Sequence, residues 1–300
     1  MKTALIFPGQ GIQRVGMGKD LYEKFPTAKK LYDEADKLLG FSIKEISFNG
    51  PEEVLTESKN AQAAVFLNSY AIFSILKEKL NFSCVAGHSL GEYTAHTVAG
   101  TFNFADALHV VRCRGELMST INKGTMSAII GLPREKVVEI VNSSEGMVKP
   151  ANFNTPLQTV ITGEIEAVRK AGENLKKEGA TVIPLMVSGA FHSPLMEKIT
   201  EPFKKVLSKT EINNPRVPVY ANVTGEKVTE ASNILNLLSA HIENPVCWVD
   251  TLLNMKRDGV ERFIEIGYRS ILIKMVKKTL DKVETMSISY PEEIRRFISE

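Results

Sequence analysis

The pentapeptide Gly87-His-Ser-Leu-Gly91 most limits how this chain can fold. A short apolar run ending at Ala86 precedes it, and a helical pattern follows over about residues 92–99. A sharp strand-to-helix turn forces its serine into a strained backbone conformation, and flanking glycines let neighbouring backbone approach without a Cβ clash. The serine then lies at a helix N-terminus, where free N–H groups face an incoming carbonyl. The pattern therefore predicts a nucleophilic Ser89.

The composition is that of an ordinary globular enzyme. The 300-residue chain is 43% hydrophobic and 24% charged, and its length suits one large α/β domain, alone or carrying a small one. Its formal net charge is +2 without a long block of like charge, which gives no support for nucleic-acid binding. The three cysteines, Cys84, Cys113 and Cys247, form no CxxC pattern. They argue for a reducing compartment and against a disulfide framework or a zinc site.

The sequence gives no indication of a membrane segment. The apolar run after Met1 is too short for a signal peptide, and no stretch approaches the roughly 20 apolar residues that a membrane span needs. We expect a monomer in the cytoplasm that binds neither membrane nor nucleic acid.

A glycine-rich loop, Pro8-Gly-Gln-Gly11, follows the first predicted strand at residues 4–7. Open α/β sheets place their sites at the carboxyl ends of strands, so this loop is a candidate part of the site. The loop lacks the GxGxxG pattern, and no acidic residue follows a second strand at the required distance. A dinucleotide site is therefore not expected.

The middle of the chain has a pattern of its own. It predicts strands at 125–131, 148–154, 158–162 and 181–187, and helices at 133–142 and 165–178. The order β-α-β-β-α-β is that of a ferredoxin-like unit, here inserted into the larger domain. Elsewhere the pattern predicts helices at 20–39 (broken at Pro26), 61–80, 104–121, 195–208, 234–242 and 271–279, and a further helix that begins at 245–248. It also predicts strands at 217–223 and 262–266 and a weakly patterned tail.

Arg114 interrupts an apolar stripe on the predicted helix at 104–121. Apolar residues form the rest of that stripe, at Phe104, Ala107, Leu108, Val111 and Met118. A buried guanidinium is costly unless an anion meets it. Two partners are possible: an acidic side chain in a structural ion pair, or a ligand carboxylate held by the bidentate geometry that arginine favours. Arg112 lies off the stripe, and we expect it to be solvated.

A serine nucleophile needs a proton acceptor, which is usually histidine. Of the five histidines, His96 and His109 lie within predicted helices, and His88 adjoins Ser89 and should diverge from it. His192 and His241 remain. His192 lies in a loop of small residues before a predicted helix, so it is the favoured base. Because no Asp or Glu stands out as a third member, we expect a backbone carbonyl or an amide side chain to orient the histidine.

Several motifs in order resemble one known family, the malonyl-CoA:acyl-carrier-protein transacylases, over nearly the whole chain. The matching stretches are Phe7-Pro-Gly-Gln-Gly11 with Val15-Gly-Met-Gly18, Gly87-His-Ser-Leu-Gly91, Arg114-Gly115, Ala151-Asn-Phe-Asn-Thr-Pro156 with Gln158, Val187-Ser-Gly-Ala-Phe-His192, and Tyr220-Ala-Asn-Val-Thr224. The resemblance implies an α/β-hydrolase-like catalytic core at 1–123 and 192–300, with a ferredoxin-like subdomain at 124–191.

The resemblance also implies roles at the matching positions. Ser89 would be the nucleophile and His192 the general base, with the backbone N–H groups of Gln10 and Leu90 forming the oxyanion hole. Arg114 would bind the malonyl carboxylate. No metal or redox cofactor is implied.

The chain departs from the family pattern at two places. His241 stands where the family usually has glutamine, whose backbone carbonyl orients the catalytic histidine. That role survives a change of side chain, but a nearby imidazole is expected to alter the pH profile. The stretch Gly267-Tyr-Arg-Ser270 stands where the family usually has Gly-Pro-Gly, which puts the shape of this loop in question.

The resemblance implies transfer of a malonyl group from malonyl-CoA to the phosphopantetheine thiol of an acyl carrier protein, through a malonyl-serine. The carrier would serve fatty-acid synthesis or polyketide synthesis. The stretches Arg114-Gly-Glu-Leu-Met118 and Val187-Ser-Gly-Ala-Phe-His192 resemble those of free-standing acyltransferases that serve modular polyketide synthases in trans. The alternatives are a hydrolase that clears acyl groups from carrier proteins and a silent carrier-docking module. Arg114 counts against the hydrolase, and intact Ser89 and His192 count against the docking module.

Overall fold

The structure, a computed structural model, describes residues 1–187 and 189–299. The strands are β1 (Lys2–Phe7), β2 (Cys84–Gly87), β3 (Thr125–Ile130), β4 (Val148–Thr155), β5 (Gln158–Gly163), β6 (Thr181–Pro184), β7 (Val219–Tyr220), β8 (Lys227–Val228), β9 (Val260–Ile266) and β10 (Glu284–Ile288). The helices are α1 (Lys19–Lys24), α2 (Pro26–Leu39), α3 (Ile43–Asn49), α4 (Glu52–Thr56), α5 (Ser58–Leu76), α6 (Gly91–Val98), α7 (Phe104–Ser119), α8 (Arg134–Ser143), α9 (Ile165–Lys177), α10 (Glu197–Ser208), α11 (Ala231–Ala240), α12 (Trp248–Arg257), α13 (Leu272–Thr279) and α14 (Pro291–Ser299), with a 3₁₀ turn at Pro194–Met196.

The larger sheet has six strands in the order β10-β9-β1-β2-β7-β8. All neighbouring pairs are parallel except β7 with β8. β1 and β2 are buried at almost every position, as central parallel strands covered on both faces must be. Their register pairs Phe7 with Gly87, so both strands end at the same edge. The loop after β1 and the elbow after β2 therefore meet there.

The smaller sheet has four antiparallel strands in the order β4-β5-β3-β6. Its elements follow the predicted β-α-β-β-α-β order, and α8 and α9 supply the amphipathic faces that bury a separate apolar cluster containing Ile129, Val137 and Ile161. The strand predicted at 181–187 ends at Pro184. Ser188, part of the motif before His192, lies outside the described residues.

Several sequence expectations need correction. The weakly patterned tail contains β10, which adds an edge strand to the large sheet, and α14. The sequence signal was weak because β10 is fully buried only at Ile288 and α14 spans little more than two turns. Two short helices, α3 and α4, were not predicted, and the strand expected at 217–223 has only two residues. The break at Pro26 is confirmed: α1 ends before it and α2 begins at it. No helix in the described residues is long and apolar enough to cross a membrane.

The loop at residues 267–270 packs against the start of the glycine-rich loop. A Cβ on Gly267 would lie 2.5 Å from Pro8 Cγ, so glycine is needed there for close approach. Arg269 is exposed and has a φ of 67°, the left-handed region that glycine adopts without steric cost. The departure from Gly-Pro-Gly thus leaves backbone strain at Arg269.

We predict that Arg269→Gly stabilises the fold by about 1 kcal/mol, because it relieves the left-handed strain. Urea unfolding at constant m-value measures this free energy. Lys278→Gly is the matched control, an exposed basic residue in α13 that should lose about 1 kcal/mol on the same change. Equal destabilisation of the two variants would contradict the assignment of strain.

Candidate active site

The turn between β2 and α6 presents Ser89 at the carboxyl edge of the large sheet. Ser89 has a φ of 51°, the strained conformation that the motif predicts. A Cβ on Gly87 would lie 1.9 Å from the Gly91 carbonyl carbon, and one on Gly91 would lie 2.1 Å from the Phe7 carbonyl oxygen. These contacts are with backbone, which cannot move aside, so both positions require glycine.

His192 is the histidine that reaches the serine. Its Nε2 lies 2.9 Å from Ser89 Oγ, and its Nδ1 lies 2.9 Å from the His241 carbonyl oxygen. A carbonyl can only accept, so Nδ1 carries the proton and Nε2 is free to accept one from the serine hydroxyl. Burial, assisted by His241 and Arg114, holds the pKa of His192 well below its usual value. The imidazole is therefore neutral at physiological pH, as a base must be.

Arg114 is buried, with 1% of its surface exposed, and its guanidinium faces the serine. Nη1 donates to Gln62 Oε1 at 2.7 Å, Nη2 donates to Ser89 Oγ at 3.3 Å, and the group lies over the Tyr93 ring. Nε has no hydrogen-bond partner among the described residues, and no described carboxylate lies within ion-pair distance. Of the two partners that the sequence left open, the acidic side chain in a structural ion pair is therefore not found among the described residues.

The loop after β1 lies directly on the elbow. A Cβ on Gly9 would lie 2.5 Å from the His88 carbonyl oxygen. The Gln10 side chain is held from α5, where its Nε2 donates to Ser58 Oγ at 3.1 Å. The backbone N–H groups of Gln10 and Leu90 donate no hydrogen bond to any described residue. Both donors thus remain available near Ser89.

A cavity of about 440 Å³ opens over these groups. The large-sheet side contributes Gln10, Ser89, Arg114 and His192, and the small-sheet side contributes side chains including Met126 and Asn152. A few converging polar groups within mostly apolar walls are typical of a small-molecule site.

Residues 4–290 match the acyl transferase domain family. The malonyl CoA-acyl carrier protein transacylase of Bacillus subtilis (strain 168) is 41% identical over 301 residues, spanning 98% of this chain and 95% of that protein. The Staphylococcus aureus (strain MW2) protein of the same name is 37% identical, spanning 98% of this chain and 97% of that protein. The chain belongs to the malonyl CoA-acyl carrier protein transacylases of the acyl transferase family.

Solved structures of family members superpose closely. A malonyl-transacylase in complex with its type II PKS acyl-carrier protein has a TM-score of 0.96 at 34% identity, covering 100% of this chain and 99% of that one. The Clostridium perfringens ATCC 13124 transacylase has a TM-score of 0.95 at 34% identity, covering 100% and 96% of the two chains. The α/β architecture expected from the resemblance is confirmed.

The other histidines of this family member point away from the nucleophile. His88 Nε2 pairs with Asn154 Oδ1 at 2.8 Å, and His109 is exposed. His96 is buried in α6 and its Nδ1 lies 3.2 Å from Thr101 Oγ1. The His241 side chain faces Glu92, not Ser89. Only His192 among the five therefore has a ring nitrogen at the serine.

Arg112 is not the solvated residue that its position off the stripe predicted. Its side chain is 16% exposed, pairs with Glu116, and donates from Nη1 to Asn60 Oδ1 at 2.8 Å. The guanidinium also covers the Phe41 ring. The helix α7 packs against α5 at this point, so a residue beside the stripe becomes partly buried by a neighbouring helix.

Asn222, just after β7, is a residue of the site that sequence reasoning left without a role. Its Oδ1 accepts from the Ser89 backbone N–H at 2.7 Å, and its Nδ2 donates to the Gly87 carbonyl at 2.6 Å. Its own N–H donates to Glu92 Oε1 at 3.2 Å. One side chain thus ties both sides of the strained turn. The only signal was its place in the motif Tyr220-Ala-Asn-Val-Thr224.

We predict that Asn222→Ala destabilises the protein by about 2 kcal/mol, because it leaves the buried Ser89 N–H and Gly87 carbonyl unpaired. Denaturant unfolding gives the free energy, and the rate of acyl-serine formation should fall with it. Asn244→Ala removes an exposed amide that caps one carbonyl, so it is the control and should cost much less. If the two variants lose similar amounts of unfolding free energy, Asn222 is not the residue that supports the turn.

Proposed function

We propose that this protein transfers a malonyl group from malonyl-CoA to the phosphopantetheine thiol of an acyl carrier protein through an ester on Ser89. One observation carries the proposal: Ser89 Oγ lies between His192 Nε2 and Arg114 Nη2, at 2.9 and 3.3 Å. A base and an unpaired buried cation at one hydroxyl suit an acyl substrate that carries a carboxylate. The relatives named above as malonyl transacylases support the same reading.

In the first half-reaction His192 Nε2 takes the proton of Ser89 Oγ as the oxygen attacks the thioester carbonyl. The free backbone N–H groups of Gln10 and Leu90 are the proposed donors to the oxyanion. Losing one such donor typically costs on the order of 100- to 1,000-fold in rate. The tetrahedral intermediate collapses, the C–S bond breaks, and His192 returns the proton to the departing CoA sulfur. The product is the malonyl ester of Ser89.

In the second half-reaction the carrier's thiol replaces CoA. His192 takes the thiol proton, the sulfur attacks the ester carbonyl, and the C–O bond to Ser89 breaks as His192 reprotonates the serine. Each half-reaction conserves atoms and charge and needs no metal or redox cofactor. Ping-pong kinetics follow from the shared ester intermediate.

Arg114 is the proposed partner of the malonyl carboxylate. Gln62 fixes one edge of the guanidinium through Nη1, which leaves Nη2 directed at the serine. The acyl group on Ser89 would therefore place its carboxylate against a preformed cation. An uncharged acyl group would leave that cation unpaired, which disfavours a hydrolase for such groups. Following a loaded acyl-enzyme in water with and without carrier separates transfer from hydrolysis.

We propose that residues 124–191 form a ferredoxin-like subdomain inserted between 1–123 and 192–300. The four-stranded sheet, with its own apolar cluster, supports the division. Met126 and Asn152 from this segment line the cavity opposite Ser89. The small subdomain would thus form one wall of the acyl site.

The carrier would belong to fatty-acid or polyketide synthesis, and transfer rates to both kinds of carrier decide which. We place the reaction in the cytoplasm, which the free thiols of Cys84, Cys113 and Cys247 support.

We predict that Ser89→Ala abolishes the covalent malonyl adduct, because among the described residues no other hydroxyl lies at His192 Nε2. Intact-protein mass spectrometry after mixing with malonyl-CoA measures the adduct. Ser208→Ala, a serine on α10 remote from the cavity, should form it normally. An adduct that persists in Ser89→Ala would exclude Ser89 as the nucleophile.

We predict that Arg114→Ala changes the acyl preference from malonyl toward acetyl. Loss of the charge-assisted pair should reduce the malonyl rate by about two orders of magnitude, while the acetyl rate holds or rises. The measurement is kcat/KM for malonyl-CoA and acetyl-CoA. Arg112→Ala, two residues along the same helix, is the control and should change both rates equally. An equal fall in Arg114→Ala would mean that Arg114 is structural.

A further inference from the structure

Glu92 is a buried carboxyl group that the proposed mechanism does not use. It lies on α6, three residues after Ser89, with 1% of its surface exposed. Its Oε1 accepts from the Asn222 N–H, and its Oε2 lies 3.0 Å from His241 Nδ1. The geometry between Glu92 Oε2 and His241 Nδ1 does not meet the criteria for a hydrogen bond, so the carboxylate interacts with the His241 ring electrostatically.

His241 in turn contacts His192 twice. Its carbonyl accepts from His192 Nδ1–H, and its ring stacks on the His192 ring with centroids 4.6 Å apart and planes 25° apart. His241 is fully buried, and its Nε2 has no partner among the described residues. Ser89, His192, His241 and Glu92 therefore form a continuous row from the hydroxyl to a buried carboxyl.

The other charged and titratable groups facing this row add no negative charge. Arg114 is cationic, and burial holds the pKa values of the neighbouring imidazoles below their usual value and raises that of the tyrosine, so these rings are neutral. The groups are His88, Tyr93, His96 and Arg114. Among the described residues, Glu92 is thus the source of negative charge behind the proposed base.

We propose that Glu92, acting through His241, is a positioning residue whose negative charge balances the imidazolium that forms on His192. The inference rests on the proposed roles of Ser89 and His192. Proton transfer to His192 creates a second buried cation close to Arg114, which is costly without a counter-charge. The carboxylate offsets that cost only in the transition state, so it should increase kcat more than it lowers KM.

The pH dependence distinguishes a charge from a structural support. Burial raises the pKa of Glu92 to about 7, opposed by His96, the Asn222 N–H and Arg114. The pKa of His192 is well below its usual value, so Glu92 is neutralised first as the pH falls. The rate of wild-type acylation should therefore decline through about pH 7 because Glu92 loses its charge, before His192 itself protonates.

Glu92→Gln tests the proposal, because an amide keeps the acceptor for Asn222 and removes the charge. The rate of malonyl-serine formation is measured from about pH 5.5 to about pH 9 in both proteins. The wild-type rate should exceed the variant rate about tenfold at high pH, equivalent to about 1.4 kcal/mol of barrier, and the two should converge at low pH. Glu265→Gln, a buried carboxyl that accepts from Ile271 and Ile273 N–H groups, is the control. Its ratio to wild type should not change with pH.

If the ratio of the wild-type rate to the Glu92→Gln rate is constant with pH, Glu92 is structural and the inference is overturned. The proposed malonyl-serine intermediate would not be affected by that result. Absence of the adduct in the wild type would instead refute the proposed function. A measurement on wild type alone guards against a variant that fails to fold. The imidazole ¹⁵N shifts of His192 should move near pH 7 while its ring stays neutral. Shifts that remain constant between about pH 6 and pH 8.5 would also overturn the proposal.

Discussion

The close backbone contact between the elbow and the end of β1 fixes where Ser89 lies relative to the glycine-rich loop, and the other groups of the site are arranged around that serine. A Cβ on Gly91 would come within 2.1 Å of the Phe7 carbonyl, and one on Gly9 within 2.5 Å of the His88 carbonyl. Two loops that leave adjacent parallel strands can approach this closely only where glycine removes the side chain. The result is that the backbone N–H groups of Gln10 and Leu90 both lie near Ser89.

The second constraint is the burial of Arg114 without a carboxylate in ion-pair contact. A guanidinium in this position costs free energy that Gln62 and the Tyr93 ring only partly offset. Glu92 adds a longer-range attraction, since each group affects the other's protonation. In the proposed function the malonyl carboxylate completes this arrangement. The site therefore holds a desolvated cation in place before the substrate binds, and this preorganisation favours a charged acyl group.

The sequence predicted what depends on local spacing and missed what depends on distant contacts. Glycines two residues either side of Ser89 and an arginine on an apolar stripe are visible within one turn or one helix. Local spacing could not predict the role of Asn222, because this residue lies 133 positions from Ser89 in the sequence. β10 was missed because an edge strand buries few side chains and so has little alternation. Arg112 was misjudged because periodicity describes one helix and not the neighbour that covers it. The family resemblance identified the segment 220–224 as a matching motif, but it did not indicate which residue in it has a structural role or why.

The use of a carbonyl instead of a carboxylate behind His192 has a chemical consequence. A carboxylate bonded directly to Nδ1 would raise the pKa of the imidazole, and an ionised base could not accept the serine proton. The His241 carbonyl fixes the same tautomer without adding a charge to that bond. A buried site that already holds Arg114 keeps His192 neutral, so the base is available over the whole physiological range. Once His192 has taken the proton, its positive charge requires a counter-charge. That counter-charge does not have to come from the group that orients the ring. In this chain His241 can meet both needs, with its carbonyl for orientation and its ring in contact with Glu92.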